Sequence, residues 1–401
     1  MSAPILMITP GATRIDVSAD SSELVWPQDG RRVTLGRRTL QVLAQFAVPA
    51  PADAVAERLE KVTPGSGEAV RGAVRMLLES GVLCEFAPVL PAEVSRRTGL
   101  FGAPVTAVGD AVRTAADFVV LGVPHDLGAT HRAGSRFGPE ALRRASTTVF
   151  QVTPSLDGMY DPERDGRLLA GAGIVDAGDL MGEPGGFGGD LLDDLERAVG
   201  VVAGAGRVPV VLGGDHSLTL RVVDGLASVH PRIGVLHFDA HHDYGRSRSG
   251  VRAGVHHGNF LDWVVGSEAV GCVAQFGIRQ LTPREPESSP KVRRWGGLSA
   301  IGADLDRIAA ELPSDLVWHV SFDVDVLDPA VMPSTGTVLP GGWSYREAVG
   351  LVTGLCDRLP VVGVDVVEYL PGPDDAPAVT VAGLLARVLH HVAVSRQGSA
   401  R

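Results

Sequence analysis

Ile233-Gly234-Val235-Leu236-His237-Phe238-Asp239-Ala240-His241-His242-Asp243 is the stretch on which the reading of this chain turns. A largely apolar run, of the kind that forms a strand buried on both faces, passes directly into a segment carrying two carboxylates and two imidazoles. Charged groups at the end of so hydrophobic a strand are costly to desolvate unless something compensates them, and a divalent cation is the usual compensation. Positions i, i+2 and i+4 of an extended segment face one side of the backbone, so Asp239, His241 and Asp243 converge.

The same grammar recurs on either side. Val208–Leu212 runs into Gly213-Gly214-Asp215-His216-Ser217, and Val317–Phe322 runs into Asp323-Val324-Asp325. Further apolar runs at Phe118–Gly122 and Val361–Val367 alternate with helical stretches, which predicts a parallel sheet covered by helices on both faces, a three-layer α/β/α arrangement. In such sheets ligands collect where strands end at their carboxyl side. One Asp-x-His alone is more often a cap or a surface loop, but three such segments, each behind a strand, are hard to arrange by accident. The candidate metal ligands are His216, Asp239, His241, Asp243, Asp323 and Asp325. Four ionised carboxylates carry a charge that two divalent ions cancel, leaving a bridging water acidic enough to supply hydroxide near neutral pH. Imidazole and carboxylate without thiolate favour manganese and leave iron, cobalt and nickel open.

Composition bounds the rest. The chain has 401 residues, enough for one large domain plus a small one. Its 50 Gly and 27 Pro point to many tight turns. A formal net charge of -11 argues against a nucleic-acid partner. Three cysteines, Cys84, Cys272 and Cys356, show no paired spacing, so neither a disulfide framework nor a thiolate zinc site is expected and a cytoplasmic location follows. The start lacks a basic region ahead of an apolar run, and no uncharged apolar stretch reaches the roughly 18 residues of a membrane helix.

Residues 1–90 read as a separate small α+β unit. Short strands at Ile15–Val17, Glu23–Trp26 and Arg32–Leu35 precede helical patterns at Thr39–Ala47, Ala52–Leu59 and Val70–Ser80, an order that suggests a winged-helix-like module. Residues 91–114 read as a linker and 115–397 as the catalytic domain.

The conjunction of motifs resembles the ureohydrolases: arginase, agmatinase, formiminoglutamase and guanidino-acid hydrolases. It starts at Gly122-Val123-Pro124-His125-Asp126, with Gly134–Pro139 and Arg143. It then takes in Asp176-Ala177-Gly178-Asp179, the three metal segments, Gly277-Ile278-Arg279, Ser321 with Asp328-Pro329, and Asp365-Val366-Val367-Glu368. The resemblance implies an arginase-like fold, two manganese ions per subunit, hydrolysis of a guanidinium group to amine and urea, and a trimer or hexamer. By position it implies one metal on His216, Asp239, Asp243 and Asp323, and the other on His241, Asp239, Asp323 and Asp325. It makes His257 the proton-shuttling histidine, with His256 as competitor, and Glu368 the carboxylate for the guanidinium fork. Asp243 belongs with these catalytic groups.

Two departures concern the substrate. Family members acting on free arginine offer Asn and Ser after the Asp-Ala-His-x-Asp motif, whereas Tyr244–Gly254 carries Arg246, Arg248 and Arg252, which suit a carboxylate, an acidic peptide or plain solvent. They place acidic residues after the counterpart of Arg279, whereas this chain has Gln280-Leu281-Thr282. The amino-terminal unit resembles, on pattern alone, the precursor-recognition domains of ribosomal peptide biosynthesis, which grip a leader peptide as an added strand. That resemblance implies a tethered precursor peptide whose arginines become ornithines. The alternatives are a small-molecule guanidino hydrolase and an inactive metal-binding scaffold.

Overall fold

The computed structural model describes residues 5–9, 13–18, 20–26, 30–47, 50–85, 99–149, 158–181, 189–244, 254–283 and 289–399. The chain divides into two compact units, Met1–Ser95 and Arg96–Arg401.

In the smaller unit, strands β1 (Ile5–Ile8), β2 (Thr13–Ser18), β3 (Ser21–Trp26), β4 (Arg31–Gly36), β5 (Ala50–Pro51) and β6 (Leu83–Glu85) form two three-stranded antiparallel sheets, ordered β2-β3-β4 and β5-β1-β6. Helices Arg37–Ala44, Ala52–Val62 and Gly67–Glu79 complete it. Alternation sets the inward face of β3: Ser22, Leu24 and Trp26 are buried, and Leu24 and Trp26 pack with Leu35, Leu43, Val55, Val74 and Leu77. The guanidinium of Arg31 lies 4.0 Å over the Trp26 ring. Strands β1, β5 and β6 were not expected from the sequence. They are two to four residues long, too short for alternation to register.

In the larger unit, β7 (Phe118–Gly122), β10 (Ile174–Asp179), β11 (Val208–Leu212), β12 (Ile233–Phe238), β13 (Val270–Phe276), β14 (Val292–Trp295), β15 (Val317–Asp323) and β16 (Val361–Val367) form one parallel sheet. Its order is β10-β7-β11-β16-β15-β12-β13-β14, and a separate hairpin joins β8 (Met159–Asp161) to β9 (Gly166–Leu168). Every residue of β7, β11 and β12 is buried, as continuous apolar runs require when helices cover both faces. The α/β fold built on a parallel sheet that was read from the sequence is the fold found.

Residues 91–114 divide. Residues 91–98 lie outside the described residues, while from Gly99 onward the chain belongs to the larger unit, with Leu100 and Phe101 in its main core. The last helix, Ala376–Ser399, is long and apolar enough by length and composition to cross a membrane. One face of it is spent internally: Val381, Leu384, Leu385, Val388 and Leu389 are buried in the same core as the sheet.

Candidate metal centre

The site stands at the carboxyl ends of four adjacent strands in the middle of the sheet: β11, β16, β15 and β12. Behind β11 the chain turns through Gly213 and Gly214, where a Cβ would collide with Val367 and the His125 backbone respectively. Asp215 locks that turn, accepting from Gly128 N at 2.8 Å and Ser217 N at 2.9 Å, so its carboxylate is committed to the backbone. His216 is thereby aimed across the strand ends and is fully buried.

Six predicted ligands meet there. His216 Nδ1 lies 3.1 Å from Asp239 Oδ2, 3.1 Å from Asp243 Oδ2 and 3.2 Å from Asp323 Oδ2. His241 Nδ1 lies 2.9 Å from Asp325 Oδ2 and 3.4 Å from Asp239 Oδ1. Asp239 thus turns one oxygen to each histidine, the geometry expected of a carboxylate shared between two ions. Asp323 meets the His216 group. His216 Nδ1 and Asp239 Oδ2 are buried and have no hydrogen-bond partner, an arrangement normally costing kilocalories unless another species completes it. Asp243 also holds φ at +45°, a strained backbone setting of the kind proteins keep for function.

The electrostatics point the same way. Burial pushes Asp323 well above the usual carboxylate range, helped by the charges of Asp325 and Asp239. Burial and the Asp239 charge push Asp243 up to about 7. Burial also opposes charge on Asp239, yet His216, His237 and His241 outweigh it and hold that carboxyl well below its ordinary value. His241 is pushed up to about 12 because Asp239 and Asp325 overcome its desolvation, and His216 is raised for the same kind of reason. A cage with this much uncompensated negative charge, all nitrogen and oxygen donors, fits two divalent cations.

Beside the cage lies a pocket of about 380 Å³ lined by His241, Asp243, Asp323, His257, Thr130 and Gln280, among others. His257 Nδ1 is 3.0 Å from Glu368 Oε1, and its Nε2 accepts from Thr130 N at 3.0 Å and meets Thr130 Oγ1 at 2.7 Å. Burial opposes charge on His257, but the Glu368 hydrogen bond and carboxylate raise its pKa above the ordinary value. His256, the competing candidate, is engaged with Asn259 and Gly258 through backbone contacts, 6.4 Å from His257 between ring centroids. Glu368 accepts from His216 N at 2.9 Å through Oε1, while its Oε2 is buried without a hydrogen-bond partner. Its φ of +61° is uncommon for so long a side chain. Arg246, Arg248 and Arg252 lie outside the described residues.

Other motif residues do structural work. Arg143 donates Nε to Asp176 at 2.8 Å and also pairs with Asp179, tying its helix to β10. Arg279 donates to the carbonyls of Asp325 at 2.7 Å and Leu339 at 2.9 Å, fixing the loop that carries Asp325. One histidine was missed. His237 Nε2 lies 3.1 Å from Asp239 Oδ2, and its ring stacks on His216 at 5.0 Å between centroids. Gln275 Nε2 reaches His237 Nδ1 at 3.3 Å, which turns His237 Nε2 to the Asp239 side, where it stands buried without a hydrogen-bond partner. The alternation that groups 239, 241 and 243 extends back to 237 and was the signal available.

The sequence model of the arginase family matches residues 116–393. The chain is 32% identical over 277 residues to an agmatinase of Neisseria meningitidis serogroup A, covering 67% of this chain and 84% of that one. It is 33% identical over 270 residues to the proclavaminate amidinohydrolase of Streptomyces clavuligerus, covering 64% and 80%. The solved structure of the proclavaminate amidino hydrolase superposes with a TM-score of 0.63 at 27% identity, covering 75% of this chain and 100% of that one. With a family match spanning most of the chain and a cage of histidines and aspartates at the strand ends, this protein belongs to the arginase family.

Proposed function

We propose that this chain hydrolyses the guanidinium group of a small molecule to an amine and urea, using two manganese ions. The observation that carries the reading is His216 Nδ1, lacking a hydrogen-bond partner and within 3.2 Å of oxygens from three different aspartates. His216, Asp239, Asp243 and Asp323 would hold one ion, and His241, Asp239, Asp323 and Asp325 the other. Divalent ions in such a cage make water acidic enough to serve as a nucleophile near neutral pH. The chain's residues do the rest. Glu368 offers its unpartnered Oε2 to the planar N–H fork of the guanidinium. His257, held between Glu368 at Nδ1 and Thr130 at Nε2, lines the pocket and is the proton donor for the departing amine. Asp243, held in its strained backbone setting, borders both cage and pocket and orients the attacking water.

The small-molecule reading is favoured because relatives of this similarity are named for agmatine and proclavaminate. Gln280 and Thr282 line the pocket as neutral groups, which suits a substrate without a free amino-acid end. A second reading, peptidyl arginine converted to ornithine on a leader-bound precursor, draws on the amino-terminal unit. Its β2-β3-β4 sheet leaves both outer strands paired on one side only among the described residues, and Ile15 and Val17 of β2 are exposed, as strand addition requires. On this reading residues 1–90 bind the leader and Arg252 contacts the peptide. Cytoplasmic action and a homo-oligomeric state complete the proposal, consistent with three free cysteines.

Urea release by the full chain with manganese, measured on agmatine, guanidino acids, free arginine and an arginine-containing peptide, tests both. Turnover of agmatine or a guanidino acid is expected. Turnover of the peptide alone would replace the first reading with the second, and no urea from any of them would leave the scaffold alternative.

A further inference from the structure

Beneath the cage lies a polar cluster that the proposed chemistry does not use. His216 presents Nδ1 to the carboxylates, and its other nitrogen, Nε2, sits 2.9 Å from Ser321 Oγ. Ser321 Oγ donates to Asp365 Oδ1 at 2.8 Å, Thr219 Oγ1 donates to Asp365 Oδ2 at 2.9 Å, and His319 Nε2 lies 2.7 Å from the same oxygen. All five side chains are fully buried. A polar network at that depth is costly unless every member is satisfied, so its retention on β15 and β16 calls for a use.

The hydrogens can be assigned by elimination. An ionised carboxylate only accepts, so the single hydroxyl hydrogen of Ser321 is committed to Asp365. Ser321 Oγ is then an acceptor toward His216, whose Nε2 must carry hydrogen. In the neutral ring that a cation requires, that leaves Nδ1 with the bare lone pair. Asp365 in turn is held by Thr219 and His319, which prevent it from swinging away from Ser321.

We propose that Asp365 and Ser321 form a relay that fixes the tautomer and ring orientation of His216, pre-setting Nδ1 for the first metal. Ser321 and Asp365 are positioning residues, since neither is among the ligands. This inference rests on the two-metal reading above and sharpens it: the relay touches the His216 side of the cage, whereas His241 and Asp325 have no contact with it among the described residues.

The test is calorimetric Mn2+ binding to the full chain and to Ser321→Ala, Asp365→Asn and Thr219→Val. Losing an outer partner of a ligating histidine weakens binding by about 10- to 100-fold. Ser321→Ala and Asp365→Asn are therefore expected to weaken one of the two ions by that factor and leave the other near its wild-type affinity. Thr219→Val removes a support of Asp365 and keeps the relay, so both affinities should stay close to wild type. In the metal-free chain, at a pH high enough to neutralise the ring, the nitrogen-15 signal of His216 should show Nε2–H in the wild type and lose that preference in Ser321→Ala. Ser321→Ala with two wild-type affinities would overturn the relay and leave the metal reading standing. Equal weakening of both ions in all three variants, tracking their melting temperatures, would reduce the cluster to a structural role and also overturn it. A wild-type chain that binds no divalent ion would sink the metal reading itself, and the relay with it.

Discussion

Two buried clusters of charge in the larger unit look alike by composition and behave oppositely. At the outer edge of the sheet, Asp176 and Asp179 of β10 share Arg143, whose guanidinium also donates to Gly178 O at 3.0 Å. Asp176 Oδ2 further accepts from Leu100 N at 2.8 Å, so that cluster is closed. In the middle of the sheet, Asp239, Asp243, Asp323 and Asp325 pair with histidines and, among the described residues, with no arginine; backbone N–H groups and Thr337 satisfy some of their oxygens, but Asp239 Oδ2 and His216 Nδ1 remain without a hydrogen-bond partner. A buried charge that its neighbours satisfy is structural, whereas one left wanting marks the place where something else binds. Both clusters belong to family-like motifs, so motif membership alone does not separate them.

The sharpest way to break the comparison is Asp323→Asn. Urea release should fall by roughly a thousandfold or more, since metal-assisted hydrolysis loses the several kcal/mol that water activation supplies. The same change should raise the melting temperature of the metal-free protein, because burial and two neighbouring carboxylates already push Asp323 toward its neutral form. Lower stability of that metal-free variant would show that the cage is not short of positive charge. Next in size, His257→Ala should lower kcat by about 10²- to 10⁴-fold, the usual worth of a general acid–base group, while both ions remain bound. Loss of manganese in that variant would move His257 into the ligand set.

Arg143→Met probes the other cluster. Removing one partner of a buried ion pair costs about 3–5 kcal/mol, so the chemical denaturation midpoint should drop sharply while kcat of the folded enzyme stays within a few-fold. A selective loss of kcat would contradict its structural role.

The smallest effect expected is one of pH. Folding raises the pKa of His216 and His241, the latter to about 12. A raised histidine stabilises the metal-free fold fully below its ordinary pKa of about 6.5, and that contribution is lost as pH climbs toward the folded value. Cations must displace those protons, so manganese affinity should rise as pH climbs from the ordinary histidine value of about 6.5 toward the folded value, about 12 for His241, with protons released on binding. An affinity independent of pH would mean that the histidines are already neutral.

Much of this was legible in the residues alone. Strands β7, β11, β12 and β16 span the runs named from apolar pattern, because a strand buried on both faces leaves no room for polar interruptions. The candidate ligands followed from charge placed where such strands end. Strands β13 and β14 were not named, since Gly271, Gln275, Arg293 and Arg294 interrupt their apolar character, and only the pairing of β13 with β12 and of β14 with β13 makes them part of the sheet.

What the sequence determined, then, was periodicity and the types of side chain at the strand ends, both local properties. Which carboxylates are closed by an arginine and which are left open, that His237 backs Asp239, that His257 rather than His256 meets Glu368, and that Ser321 and Asp365 support His216 were all decided by tertiary structure. The reason is physical: hydrogen-bond satisfaction belongs to pairs far apart in the chain, such as His216 and Ser321 or His257 and Glu368, and no local pattern encodes their meeting.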